Sequence, residues 1–196
     1  MSRLVLASGS AVRARLLGAA GIDFTARPAD VDEDAVKQRF RAEGKSPADL
    51  ARQLAIDKAL AGMHPDTYVI GADQVLTCGA DWYDKPADMA TARAQLLALR
   101  GRTHHLTGGL ALAYNGAILW QHHETAALTM RTFSEAFLDD YLARTGTPIL
   151  GSVGAYHYEG LGAQLFERVE GDYFTILGLA LLPLLGALRK HKVLPA

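Results

Sequence analysis

Leu4-Val5-Leu6-Ala7-Ser8-Gly9-Ser10-Ala11-Val12-Arg13 reads as strand, turn and helix start. Leu4 to Ala7 is a short continuous apolar run, the pattern of a buried strand. Ser8-Gly9-Ser10 breaks it. Val12, Leu16 and Leu17 then recur at helical spacing as far as Gly21, a natural helix stop. Ser10 is the natural N-cap. A strand feeding directly into a helix is the repeating unit of α/β folds.

The rest of the chain repeats the alternation. Ser46-Pro47-Ala48-Asp49 starts a helix: Ser46 caps, Pro47 suits N1, and Asp49 suits the positive first turn. That helix runs through Leu50, Leu54 and Lys58 to about Gly62. Tyr68 to Ala72 reads as a second buried strand ending at Asp73, and Ala90 to Leu99 as a helix. Leu106–Tyr114 and Ala117–Gln121 form a hairpin closed by Asn115-Gly116. Thr125–Arg131 reads as a further strand. Ser134 caps a helix with Phe137, Leu138, Tyr141 and Leu142 on one face, and a last helix spans Leu179 to Lys190. Interleaved helices and strands with a hairpin predict an α/β class with a mixed sheet.

Composition narrows function. Twenty Lys+Arg against 21 Asp+Glu leave a net charge of −1 in 196 residues, so no basic field attracts nucleic acid or an acidic membrane. A single cysteine, Cys78, excludes an internal disulfide and a Cys-based zinc site. The most apolar stretch, Ile176 to Leu188, is broken by Gly178, Pro183 and Gly186 and reads as a buried helix rather than a membrane span. With no export signal expected, the expected compartment is the cytoplasm. Adjacent pairs His104-His105 and His122-His123 would point to opposite strand faces and share no metal ion.

Five features could carry chemistry. Ser8 to Arg13 opens a helix whose free N–H groups suit an anion, and Arg13 lies one turn in, able to fork onto phosphate oxygens. Asp73 could hold a divalent metal or take a proton from water, and reads equally well as a turn aspartate. Asp30-Val31-Asp32-Glu33-Asp34 supplies more carboxylates, most of which such clusters leave solvated. Lys58 sits at the edge of an apolar helix face, where its stem could simply cover the core. Lys85 precedes Pro86 after the polar turn Gly79-Ala80-Asp81-Trp82.

Taken in order, these pieces resemble one family. Leu6-Ala7-Ser8-Gly9-Ser10-Ala11-Val12-Arg13, Val31-Asp32-Glu33, Leu54-Ala55-Ile56-Asp57-Lys58-Ala59, Gly71-Ala72-Asp73-Gln74-Val75 and Asp84-Lys85-Pro86 resemble the Maf nucleotide pyrophosphatases. Gly101-Arg102-Thr103-His104, Thr107-Gly108, Gly154-Ala155-Tyr156-His157-Tyr158-Glu159-Gly160, Glu170-Gly171-Asp172-Tyr173 and Gly178-Leu179 continue it. The resemblance covers nearly the whole chain and implies one domain over 1–196. It implies a mixed, curved central sheet flanked by helices, with two lobes around a cleft, similar to the inosine triphosphatase type.

It also implies an activity: hydrolysis of a nucleoside triphosphate between the α and β phosphates, giving a monophosphate and pyrophosphate. By the resemblance Asp73 is the proton acceptor that activates water and a metal ligand, and Glu33 is a metal carboxylate. Ser8, Ser10, Arg13, Lys58 and Lys85 are the phosphate shell. The implied cofactor is a divalent cation, Mg²⁺ or Mn²⁺. The implied partner is a small-molecule nucleotide, without nucleic acid or membrane, and the resemblance leans toward a homodimer.

Three positions divide the family by base: residue 12, the residue after Asp73, and the residue before Gly160. The dTTP and UTP branch carries Arg, Thr and Gln there; the 7-methyl-GTP branch carries an aromatic, Gln and Glu. Val12, Gln74 and Glu159 match the second branch at two positions. The expectation is house-cleaning of modified nucleotides, with 7-methyl-GTP favoured. A dTTP/UTP or broad-specificity pyrophosphatase, and a non-catalytic nucleotide-binding regulator of cell division, are the alternatives. The chain departs from the family pattern at Ala11, where Pro is usual, and at Ala180, where Leu-Pro is usual.

Overall fold

The computed structural model describes residues 3–195. In chain order its elements are β1 (Arg3–Leu6), α1 (Ala11–Ala19), β2 (Thr25–Ala26), α2 (Glu33–Ala42), α3 (Pro47–Ala61), β3 (Thr67–Cys78) and β4 (Asp81–Tyr83). There follow α4 (Met89–Leu99), β5 (Thr103–Tyr114), β6 (Ala117–Met130), α5 (Glu135–Thr145), β7 (Phe166–Glu170), α6 (Tyr173–Ile176) and α7 (Leu181–Lys190). This is a mixed α/β fold. Two compact units share three strands. Unit 1 holds the chain up to Gln74, Thr107–Thr125 and the chain from Asp172 on; unit 2 holds Val75–Leu106 and Ala126–Gly171.

Unit 1 orders its strands β2-β1-β3-β5-β6. β1 runs parallel to both neighbours, pairing Leu6 with Ala26 and with Ile70. Alternation along the strands sorts their side chains onto two faces. Leu4, Leu6, Ile70, Leu110 and Leu112 pack with Leu16 and Leu17 of α1 and Leu181, Leu184 and Leu188 of α7. On the other face Ala111 and Ala113 pack against Ala55 and Ala59 of α3. Here α3 lies directly on the sheet backbone. A Cβ on Gly71 would fall on the Ala55 carbonyl oxygen, and one on Gly109 on the Ala51 carbonyl oxygen.

In unit 2 the far end of β3 pairs antiparallel with β4, and the far end of β6 with β7. Ser134 caps α5 through Phe137 N, and Leu138, Tyr141 and Leu142 are buried as the spacing predicts. Cys78 is buried, and desolvation raises its thiol pKa, so it stays a thiol. Among the described residues no helix is long and apolar enough to cross a membrane.

Several sequence expectations need correction. β3 does not end at Asp73 but continues to Cys78, because Val75 and Leu76 remain buried strand residues beyond the polar pair. Thr125–Arg131 is no separate strand; it is the end of β6, which runs unbroken from the Asn115-Gly116 turn. Both turn residues have positive φ, as a two-residue hairpin turn of this kind requires. The acidic cluster is a helix start: Asp32 caps α2 by accepting from Ala35 N at 3.0 Å. The turn at Gly79-Ala80 leads into β4. The last helix begins at Leu181, after the separate α6.

Candidate functional site

Asp73 and Gln74 are consecutive on β3 and point to opposite faces. Asp73 faces α3. Its Oδ1 lies 2.6 Å from Lys58 Nζ, and both residues are buried. Lys58 therefore does more than lay its stem over the core. The close approach of α3 at Gly71 brings its last turn within reach of the strand. Glu33, the first residue of α2, puts Oε1 2.7 Å from the same ammonium. One cation thus bridges two carboxylates, one buried and one partly exposed.

On the other face the end of β1 runs alongside β3, and α1 begins there. Ser10 caps α1 by accepting from Arg13 N at 3.4 Å. Ser8 is buried, and its hydroxyl accepts from Ser10 N at 3.3 Å and from Arg13 Nη1 at 3.1 Å. Arg13 also donates from Nη1 to the Ala72 carbonyl at 2.9 Å and from Nε to the Gly178 carbonyl at 2.8 Å. Desolvation lowers its pKa, opposed by the charges of Asp73 and Glu33; a guanidinium keeps its proton regardless. Val12 is half-buried and packs on the apolar core.

Gln74 donates from Nε2 to the carbonyls of Thr175 at 2.9 Å and Ile176 at 3.3 Å. Only an NH₂ group satisfies two carbonyl acceptors, so the amide orientation is fixed and Oε1 points away from them. Gly178 has φ +91, and its missing side chain leaves the Gln74 Oε1 and Arg13 side bare. Sequence reading gave α6 no part in the site, although Asp172 is a favoured N-cap residue: Asp172 Oδ1 accepts from Thr175 N at 3.0 Å.

Unit 1 therefore gathers Ser8, Ser10, Val12, Arg13, Glu33, Lys58, Asp73 and Gln74. Lys85 and Glu159 belong to unit 2. Lys85 is exposed on the turn after β4, where Gln95 of α4 holds the Asp84 carbonyl at 3.0 Å. Glu159 is exposed on the loop before β7.

Asp73 and Glu33 are hard oxygen donors, and the ammonium between them marks a place where a cation is neutralised. Two carboxylates with the remaining oxygens from phosphate and water fit Mg²⁺ or Mn²⁺. Among the described residues no group of three or more His, Cys, Asp or Glu could hold a metal by itself.

Comparison with known proteins agrees with the order of these motifs. The family model for Maf-like proteins matches residues 3–191. A nucleoside triphosphate pyrophosphatase of Granulibacter bethesdensis is 54% identical over 98% of each chain. One from Paramagnetospirillum magneticum is 55% identical over 95% of this chain and 97% of its own. A 7-methyl-GTP pyrophosphatase of Rhizobium meliloti is 49% identical over 95% of each. A solved HAM1 protein from Coxiella burnetii superposes with a TM-score of 0.42 and 19% identity, covering 66% of this chain and 73% of that one, too loose a match to add to the fold described above. With a family match and relatives at half identity over almost the full length, this chain belongs to the Maf family.

Proposed function

We propose that this chain is a nucleoside triphosphate pyrophosphatase that cleaves between the α and β phosphates. The observation that carries the reading is Lys58 Nζ held between Asp73 and Glu33, with Arg13 close by at the start of α1. Buried carboxylate, buried ammonium and helix N-terminus form a set suited to a polyanion and a water nucleophile.

Asp73 accepts the proton of the attacking water, whose oxygen bonds to the α phosphorus as the bond to the bridging oxygen breaks. Lys58 keeps Asp73 oriented and offsets charge on the transferred group. Arg13, Ser8, Ser10 and the first-turn N–H groups of α1 bind phosphate oxygens, and Lys85 adds a second cation for the leaving pyrophosphate. Most catalysis in phosphoryl transfer comes from such positioning and charge stabilisation. Glu33 and Asp73 would hold Mg²⁺ or Mn²⁺, which when bound would offset the negative charge of the phosphates.

The base reading favours 7-methyl-GTP. Gln74 faces a ligand with its oxygen, since its nitrogen is committed to α6. Glu159 also presents acceptors. The Glu159 carboxylate suits the N1–H and N2–H₂ donors of guanine and complements the cationic methylated ring. Val12 supplies no ring to stack on the base, which favours a broader substrate range as the second reading.

Incubation with Mg²⁺ and a nucleotide panel tests this. Pyrophosphate and monophosphate are the expected products, with the highest kcat/KM on 7-methyl-GTP. Release of inorganic phosphate instead rules out the proposed bond, and a higher kcat/KM on dTTP rules out the base reading alone.

A further inference from the structure

Unit 2 contains a buried polar pair that the chemistry above does not use. His104 on β5 is fully buried, and its Nε2 lies 2.7 Å from Tyr156 Oη. Among the described residues His104 Nδ1 has no hydrogen-bond partner. Burying an imidazole with one nitrogen unpaired is costly, and an apolar side chain would avoid the cost. The pair is placed where it matters for another residue: Tyr156 begins the stem of the loop that ends in Glu159.

That stem is fixed from several sides. Gly154 has φ +81 and Ala155 φ +58, the latter a conformation that an L side chain rarely takes. The Ala155 carbonyl accepts from Tyr141 Oη at 3.2 Å. The Tyr156 ring stands edge-on to Phe166 at 4.9 Å, and Tyr158 meets the same ring at 5.8 Å. The backbone closes at Gly162, where a Cβ would strike the His157 carbonyl. Tyr156 and Tyr158 are thus anchored on one aromatic support, and Glu159 emerges beside them, exposed.

We propose that the His104–Tyr156 hydrogen bond is a positioning device for Glu159, locking the loop stem so that the carboxylate meets the base in one geometry. The proposal rests on the reading of Glu159 as a base-recognition residue. A carboxylate pairing with two adjacent donors tolerates little displacement, whereas Asp73 and Lys58 lie in the other unit and need nothing from this loop. Loosening the stem therefore changes which base is preferred and leaves the hydrolytic step intact.

The experiment compares kcat and KM for 7-methyl-GTP and dTTP. Tyr156→Phe keeps the ring on Phe166 and deletes the hydroxyl. The double variant His104→Leu/Tyr156→Phe removes both polar partners, so no unpaired group is left to unfold the protein. Both are expected to lower the 7-methyl-GTP to dTTP ratio roughly tenfold through KM, within the ~10²-fold that a 1 Å misplacement can cost. His104→Gln, whose terminal amide reaches the position of Nε2, is expected to restore most of the ratio. An unchanged ratio in folded variants, or an equal fall for both nucleotides, overturns the positioning role. Glu159→Gln separates the two ideas. If it leaves the ratio unchanged, the base reading fails and the proposal with it. If it shifts the ratio while Tyr156→Phe does not, only the positioning role fails.

Discussion

Lys58 Nζ stands 2.6 Å from Asp73 Oδ1 while also holding Glu33, so one ammonium joins the two carboxylates. Removing the lysine and removing the aspartate are therefore different injuries. Lys58→Met leaves two carboxylates facing each other and is expected to cost about 3 kcal/mol of stability. Asp73→Asn leaves the Lys58–Glu33 pair and is expected to cost about 1 kcal/mol. Its turnover should nevertheless fall on the order of 10²–10⁴-fold, the usual worth of a general base. Urea unfolding and steady-state kinetics on both variants check the order; greater destabilisation by Asp73→Asn would contradict it.

Glu33 contributes a partly exposed carboxylate to the same centre. Glu33→Gln is expected to raise the Mg²⁺ concentration needed for half-maximal turnover by about tenfold, the scale of one lost charged ligand contact. A chelator should abolish turnover while leaving far-ultraviolet circular dichroism unchanged. Full activity in chelator would remove the cation from the mechanism.

Arg13 makes directed bonds from two nitrogens, to the Gly178 carbonyl, the Ala72 carbonyl and Ser8. A lysine keeps the charge but not the planar fork. Arg13→Lys is expected to lose about 1.5–3 kcal/mol of charged hydrogen bonding, or roughly 10–100-fold in kcat/KM. A variant within twofold of wild type would show that charge alone suffices.

Gly71 and Gly18 predict opposite outcomes for the same substitution. A Cβ at Gly71 strikes the backbone of α3, whereas one at Gly18 on α1 meets nothing within 4 Å among the described residues. Gly71→Ala is expected to destabilise by about 3 kcal/mol. Gly18→Ala should stabilise by about 0.5–1 kcal/mol through helix propensity. Thermal unfolding of the pair measures both signs.

His104 predicts an acid limit. Burial, with a smaller push from His105, lowers its pKa to about 4. The unfolded chain takes up the proton near pH 6.5, the folded one only near 4. Its stabilising contribution is complete above pH 6.5 and is lost as pH falls from 6.5 toward 4, about 3 kcal/mol in all. His104→Leu should flatten that part of the stability curve. Parallel curves for wild type and variant would show that His104 does not set the slope.

Much of this was legible in the sequence, for local reasons. Ser10, Ser46 and Ser134 cap the helices they announce, because a cap is written within four residues. Asn115-Gly116 closes its hairpin for the same reason. The end of β3 is hidden in the sequence because Gly71 and Asp73 read locally as punctuation, while their presence is explained by packing against α3, which no local spacing announces. The convergence of Lys58, Glu33 and Asp73 had no signature in spacing and came only from the ordered resemblance. The grip of α6 on Gln74 and of Gly178 on Arg13 is invisible in the sequence, since backbone carbonyls leave no mark on residue identity.

The glycine seam under α3 also bears on how the chain reaches its active form. Because α3 touches the backbone of β3 at Gly71 and of β5 at Gly109, it can dock only once those strands have aligned. The contact of Gly109 with Ala51 joins distant parts of the chain, and such pairings form slowly. During refolding, recovery of helix and strand signals should therefore run ahead of recovery of turnover. A collapsed intermediate with α3 undocked would have its secondary structure and no assembled Lys58–Asp73 pair.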